Sequence, residues 1–213
     1  MIDPFTQKGI VLQSGNVECR IMSPADVSGL RDAARPPAIW EHMIFDASDP
    51  VEFSRYIESM LGGYERREHV PFTIFDKDTG KVAGAIKLMR ISIPDACLTL
   101  GGTWINPSFW GTGTSREMHR AILGHVFDTL NVNRTEVRVH TSNLRSLKAM
   151  PKLGLTYEGT LRASATARSG TRNDVAYFSM LASEWSVATI NPRNAPASLH
   201  QPSAAFDIRI VRQ

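Results

Sequence analysis

Apolar side chains recur along this chain with two different periods, and the switches between them mark its elements. "IVL" and Val17 to Met22 ("VECRIM") read as short strands. Ser23 as N-cap, Pro24 at the first helical position and Asp26 as the acid of a capping box predict a helix over "SPADVSGLRDAA". Asp49 and Pro50 repeat the device. Behind them Phe53, Tyr56, Ile57, Met60 and Leu61 fall at helical spacing, and Gly62 and Gly63 are expected to end that helix. The period then drops to two. "PFTIFD" and "KVAGAIKLMRI" predict strands joined by the tight turn "KDTG". "ACLTLGGTWI" predicts a third, in which Gly101 and Gly102 suggest a bulge or a close backbone approach.

Helical spacing returns after "SFWGTGTS", with Met118, Ile122, Leu123, Val126, Phe127 and Leu130 on a broad apolar face. "RTEVRVHT" predicts a strand and "NLRSLKAMPKLG" a short helix ending at Gly154, in which Pro151 should kink or shorten the last turn. "TYEGTLRA" and "DVAYFSML" are the last strands, around the turn-rich "RSGTRN". The order of elements is that of a mixed α/β fold with one strand–helix–strand crossover. From Ser186 the composition shifts to "SVATINPRNAPASLHQPSAA". Residues 1–185 are therefore expected to form one domain and 186–213 a C-terminal extension. The alternating "FDIRIVR" at its end should pair with a sheet edge of its own chain or of a second copy, the latter giving a homodimer.

Composition narrows the function. The chain has 213 residues, 42% of them hydrophobic, enough for one sizeable core. A formal net charge of +3 is too thinly spread to point to nucleic acid and is compatible with small anionic ligands. Cys19 and Cys97 have no metal or redox spacing, so two reduced thiols and no metal are expected. The N-terminus has no basic start ahead of an apolar core, and no apolar run approaches the ~20 residues that span a bilayer. These features predict a soluble, cytoplasmic protein.

The glycines of "GTGT" lie between a strand and a helix. Bare backbone there lets the amides of the helix N-terminus converge on one anion. The turn lacks the lysine of a Walker loop and the full GxGxxG of a dinucleotide fold.

From Leu98 to Trp185 the chain resembles the GNAT (Gcn5-related) N-acetyltransferase superfamily, and within it the RimJ/RimL-type ribosomal-protein N-terminal acetyltransferases. The resemblance rests on blocks in order: Pro107 to Gly113 ("PSFWGTG"), Asn143 and Ser146, Lys152 to Gly159 ("KLGLTYEG"), and Asn173 to Trp185. It implies a mostly antiparallel, partly splayed sheet flanked by helices. It also implies acetyl-CoA as cosubstrate and a primary amine as acceptor, that of a protein or peptide N-terminus. The turn amides of Trp110, Gly111, Thr112, Gly113, Thr114 and Ser115 would hold the pyrophosphate, and pantetheine would pair with the strand edge at Thr103, Trp104 and Ile105. Ser108 departs from the pattern, which has Gln or Arg there; Arg116 or Lys148 could supply the missing cation.

Glu158 is the first candidate for the base, with His140 or Glu136 as substitutes; the intrinsic pKa of histidine suits base work. Ser146 is a candidate proton donor to the leaving thiolate, and Tyr157 an alternative. Asn143 is read as a cofactor contact, a helix cap, or both. A backbone N–H near Thr103 or Trp104 would meet the oxyanion. Trp40, Glu41 and His42 fall where the family binds its acceptor, though packing suits Trp40 equally. Two other readings stand beside this one: an acetyltransferase for a small amine such as an antibiotic or polyamine, and a non-catalytic acyl-CoA-binding protein.

Overall fold

A computed structural model of the chain describes residues 1–185. Eight strands form one sheet in the order β1-β2-β3-β4-β5-β6-β8-β7. They are β1 (Val11–Ser14), β2 (Val17–Ile21), β3 (His69–Asp76), β4 (Val82–Ser92), β5 (Cys97–Ile105), β6 (Arg134–His140), β7 (Thr156–Thr166) and β8 (Arg172–Leu181). Every neighbouring pair is antiparallel except β5 and β6, which run parallel because helix α3 (Thr114–Gly124) crosses over between them. The other helices are α1 (Val27–Ala34), α2 (Pro50–Glu65) and α4 (Leu144–Ala149).

The strands' period of two sends alternate side chains to opposite faces, and each face has its own core. On one, Phe72, Ile74, Ile86, Leu88, Leu98 and Leu100 pack with Met118, Ile122 and Leu123 of α3. On the other, Ala85 and Trp104 pack with Leu30 of α1, with Trp40, and with Phe53, Tyr56 and Met60 of α2. The predicted caps hold: Ser23 and Asp26 form the capping box, and the Asp49 carboxylate accepts from the amides of Val51 and Glu52.

Three boundaries differ from expectation. Helix α2 runs through Gly62 and Gly63 to Glu65. Gly63 is small because it packs on the His69 imidazole, where a Cβ would lie 2.1 Å from Cε1; the left-handed residue just past the helix end is Arg67. Helix α3 widens after Gly124 into a π turn over His125–Thr129. Strand β8 starts at Arg172, inside the stretch read as turn. Pro151 ends α4 as expected and opens a 3-10 turn, Pro151–Leu153. The expectations for residues 186–213, the extension and its closing strand, lie outside the described residues.

Candidate functional site

The strand glycines produce the feature around which the site is built. β5 and β6 pair only over Cys97–Leu100 and Arg134–Val137. Beyond that, β5 stays on β4 through Ile105 and β6 stays on β8 through His140, so the two strands diverge and leave a wedge between their C-terminal halves. The β4–β5 register shifts by one between the Lys87–Gly101 and Ala85–Trp104 pairs, a bulge at Gly102 and Thr103, with Gly102 at φ 59°. Past the bulge the Asn106 amide donates to the Ala83 carbonyl. Alternation then turns the Trp104 backbone toward β4 and that of Ile105 into the wedge. The Trp104 side chain is in the core, where its indole donates to the Tyr56 hydroxyl at 2.9 Å and burial pushes the Tyr56 pKa up to about 12. Of the three strand positions proposed for cofactor contact, Trp104 thus has neither side chain nor amide facing the gap, whereas Thr103 and Ile105 border it.

The glycine turn closes the wide end. The Asn106 carboxamide oxygen accepts from both the amide and the hydroxyl of Ser108, and its nitrogen donates to the Ala33 carbonyl. Ser108 is therefore spent on holding the turn. The Trp110 indole donates to the Ile105 carbonyl at 2.8 Å, and the Thr112 hydroxyl donates to the Phe109 carbonyl. Gly111 (φ 79°) and Gly113 (φ 93°) take conformations that side-chain-bearing residues avoid. Gly113 is the N-cap of α3 and offers no side-chain cap; the Thr114 amide meets the Thr112 hydroxyl at a long 3.5 Å, and the amides of Ser115 and Arg116 face the helix end without a side-chain cap. Arg116 stands beside this turn but is paired with Glu117 at 3.0 Å.

Helix α4 forms the other lip. The Asn143 side chain accepts from the Ser146 amide at 3.1 Å, so it is a helix cap, and Ser146 sits half-buried one turn in. Between them Arg145 reaches across the wedge and lays its guanidinium 3.6 Å from the centre of the Trp110 ring. This bridge was not visible in the sequence, since nothing local marks residues 110 and 145 as neighbours.

The acid–base candidates fall at opposite ends of β6. Glu158 accepts from Arg134 at 2.6 and 2.5 Å and from the Ser179 hydroxyl at 2.8 Å. The Arg134 guanidinium, foremost, holds its carboxyl below the usual carboxylate range. Glu136 shares the same arginine at 3.1 Å. Arg134 opens β6 and His140 closes it, about 20 Å away at ~3.3 Å per residue. The structure therefore does not bring Glu158 to the wedge. Tyr157, beside it, is directed to Thr160 and Phe178.

His140 is where β6 has parted from β5. With Glu41, His42, Met43, Ser142, Arg168 and Asn173 it lines a cavity of about 170 Å³. Burial, then His42 and Arg138, lowers its pKa, so the imidazole is neutral at pH 7. The Asn173 carboxamide nitrogen stands 3.0 Å from Nδ1 and donates to it, which leaves the ring proton on Nε2; a turn of the amide that brings its oxygen to Nδ1 moves the proton there and frees the Nε2 lone pair for base work. The Ser142 hydroxyl lies 3.4 Å from His42 Nδ1, and Asp46 anchors Arg168 at 2.7 Å. Asn173 and Arg138 were missed by sequence reasoning; Asn173 lay in a stretch taken as turn. A larger cavity, about 790 Å³, lies between β2, α1, the β3–β4 turn and the segment Asn106, Ser108 and Phe109 that leads into the glycine turn, with charges of both signs in its lining.

Comparison with known proteins agrees with this fold. The family model described as an acetyltransferase (GNAT) domain matches residues 17–156. An N-acetyltransferase of undetermined role from Bacillus licheniformis, p20, is 31% identical over 114 residues, 54% of this chain and 63% of that protein, so the match spans less than two thirds of that relative. A Bacillus subtilis (strain 168) protein, YdaF, provisionally named a ribosomal N-acetyltransferase, is 24% identical over 67% of this chain and 78% of its own. The crystal structure of a GCN5-related N-acetyltransferase from Brucella melitensis superposes with a TM-score of 0.77 at 23% identity, covering 84% of this chain and 82% of that one.

Proposed function

The chain belongs to the GNAT acetyltransferases, and on that premise we propose that it moves an acetyl group from acetyl-CoA to a primary amine, the α-amine of a protein or peptide. The observation that carries this reading is the wedge: an unpaired edge of β5 that leads directly to an uncapped helix N-terminus. A ligand with an amide-bearing arm and a diphosphate at its far end fits both parts, the arm on the backbone of Thr103 and Ile105 and the diphosphate on the amides of residues 111 to 115, since the expected Trp110 amide already donates to the Pro107 carbonyl at 3.0 Å. Acetyl-CoA supplies an activated carbonyl and a thiol leaving group.

This chain's residues do the rest. His140, neutral and placed at the wedge, accepts the proton of the incoming amine. An α-amine, with an ordinary pKa of ~7.7–8.0 against ~10.4 for lysine, needs only a base of that strength. The bulge at Gly102 and Thr103 offers the N–H groups for the oxyanion, and Ser146 protonates the departing thiolate. The Glu41 carboxylate in the cavity wall attracts a cationic amine. The name of the Bacillus subtilis relative supports a ribosomal protein as the amine's source. The reading places the protein in the cytoplasm, with no nucleic-acid or membrane partner and with a homodimer as its assembly. Among the described residues no helix is long and apolar enough to cross a membrane.

The test is turnover with acetyl-CoA and a panel of peptide and small amines, with products identified by mass. His140→Ala should lower kcat on the best peptide about tenfold or more, and Glu158→Gln less than about threefold. Loss of activity in Glu158→Gln with His140→Ala unaffected would overturn the assignment. Acetylation of polyamines alone would replace the acceptor class.

A further inference from the structure

We propose that Lys87 is a site of self-modification, its side-chain amine taking an acyl group from the donor held in the wedge of its own chain. This rests on the reading of the wedge as an acyl-CoA site. Lys87 sits on β4 opposite Gly101. Its stem crosses the β5 bulge: Cε and Cγ lie 3.1 and 3.4 Å from where a Cβ on Gly102 would be. The missing side chain at Gly102 is what lets the lysine lie there, beside the backbone that borders the reactive end of the wedge.

Two further observations set this lysine apart. It is half-buried, and among the described residues its ammonium has no hydrogen bond or ion pair. The nearby carboxylate, Glu68, is engaged by Arg66 at 2.8 and 3.1 Å. Burial consequently lowers the pKa of Lys87, with only a long-range pull from Glu68 in the other direction. A larger share of neutral, nucleophilic amine follows.

The step balances without another reactant. The Nζ lone pair forms a C–N bond to the acyl carbon and the C–S bond breaks. The sulfur leaves as thiolate and ends as free thiol, taking up the equivalent of the proton the nitrogen loses. The products are Nε-acetyl-Lys87 and CoA. The acetylated side chain carries no charge and fills the space over the bulge, so a modified chain should accept substrate more slowly.

Incubation of the full chain with acetyl-CoA and no amine acceptor, followed by peptide mass mapping, tests the proposal. Acetyl-Lys87 should appear about tenfold faster than at any other lysine, and excess free CoA should suppress it. Lys87→Arg, which keeps the charge, should remove that modification and leave CoA binding by calorimetry in place. Trace labelling with acetic anhydride, without CoA, reads the amine's own reactivity and should mark Lys87 ahead of the exposed lysines. CoA binding without acetylation of Lys87 sinks this inference and leaves the wedge reading standing. Equal acetylation of all lysines, insensitive to free CoA, also sinks it, as simple chemistry in solution. If CoA does not bind at all, both readings fall.

Discussion

Replacing Gly113 by alanine separates what its backbone does from what a side chain there would touch. At φ 93° an L-residue is strained, yet a Cβ at this position meets only an Arg116 nitrogen, at the ordinary contact distance of 3.6 Å. The substitution therefore adds strain and almost no collision. A sparsely populated backbone conformation costs ~1–3 kcal/mol. The turn has two ways to respond. It keeps its shape, and the whole cost appears as lost stability, about 4–8 °C per kcal/mol for a small domain and less for a larger one. Or it relaxes, the amides of residues 113 to 115 turn away from a common point, and the cost appears as lost affinity, up to ~5–150-fold. The two readouts divide one strain between them. Calorimetry with CoA and thermal unfolding of the same variant measure both, and Gly9→Ala is the matched control, with φ 70° and open space around its Cβ ahead of β1. The expected result is a CoA affinity at least about threefold weaker in Gly113→Ala and unchanged in Gly9→Ala, with melting lowered in both. Unchanged affinity together with unchanged melting in Gly113→Ala, a turn that has relaxed without loss of binding, would refute the phosphate role of the turn.

Further outcomes follow from other contacts. Trp104→Phe leaves the buried Tyr56 hydroxyl without its indole donor, and should lower stability by about 1–3 kcal/mol in denaturant unfolding; Trp104→Phe with Tyr56→Phe should recover part of that loss. Burial depresses the pKa values of His69, His119 and His125, so the unfolded chain binds protons that the folded chain refuses. Stability present above pH 6.5 should fall as pH drops below that value, read as a shift of the unfolding midpoint. The acid limb of kcat/KM should lie below 6.5 for the same reason at His140, and should disappear in His140→Ala. Arg145→Ala removes the cation that spans the wedge and should weaken CoA binding about tenfold, whereas Arg116→Ala, already neutralised by Glu117, should change it less than about threefold.

The sequence made the local devices legible. Ser23 with Asp26, Asp49 with Pro50, the glycine pair in β5 and Pro151 each act within a few residues of themselves, so their consequences can be read from spacing. The mixed sheet with a splay came from the resemblance and is present in the structure. What was not legible depends on register across strands. Glu158 and His140 are both strand residues in suggestive places, but only the pairing of β6 with β8, and of β8 with β7, fixes that one is at the closed end of the wedge and the other at the open end. Gly62 and Gly63 looked like a stop because glycine commonly ends helices; at Gly63 the need was room for His69, a residue on another element. Lys87 and Arg145 carried no local signal, since each gains its meaning from a partner 15 and 35 positions away.

The short parallel ladder between β5 and β6 has a mechanical consequence. Four residue pairs join a five-stranded half of the sheet to a three-stranded half. The wedge beyond them works as an open seam, and a ligand bound along β5 acts as a ninth, non-covalent strand that sews part of it shut. Ligand binding should then stiffen the protein most where the seam begins. Amide hydrogen exchange at Leu98 to Leu100 and Thr135 to Val137 should slow on CoA addition far more than exchange in β1 to β3, because opening the seam loads those four pairs first.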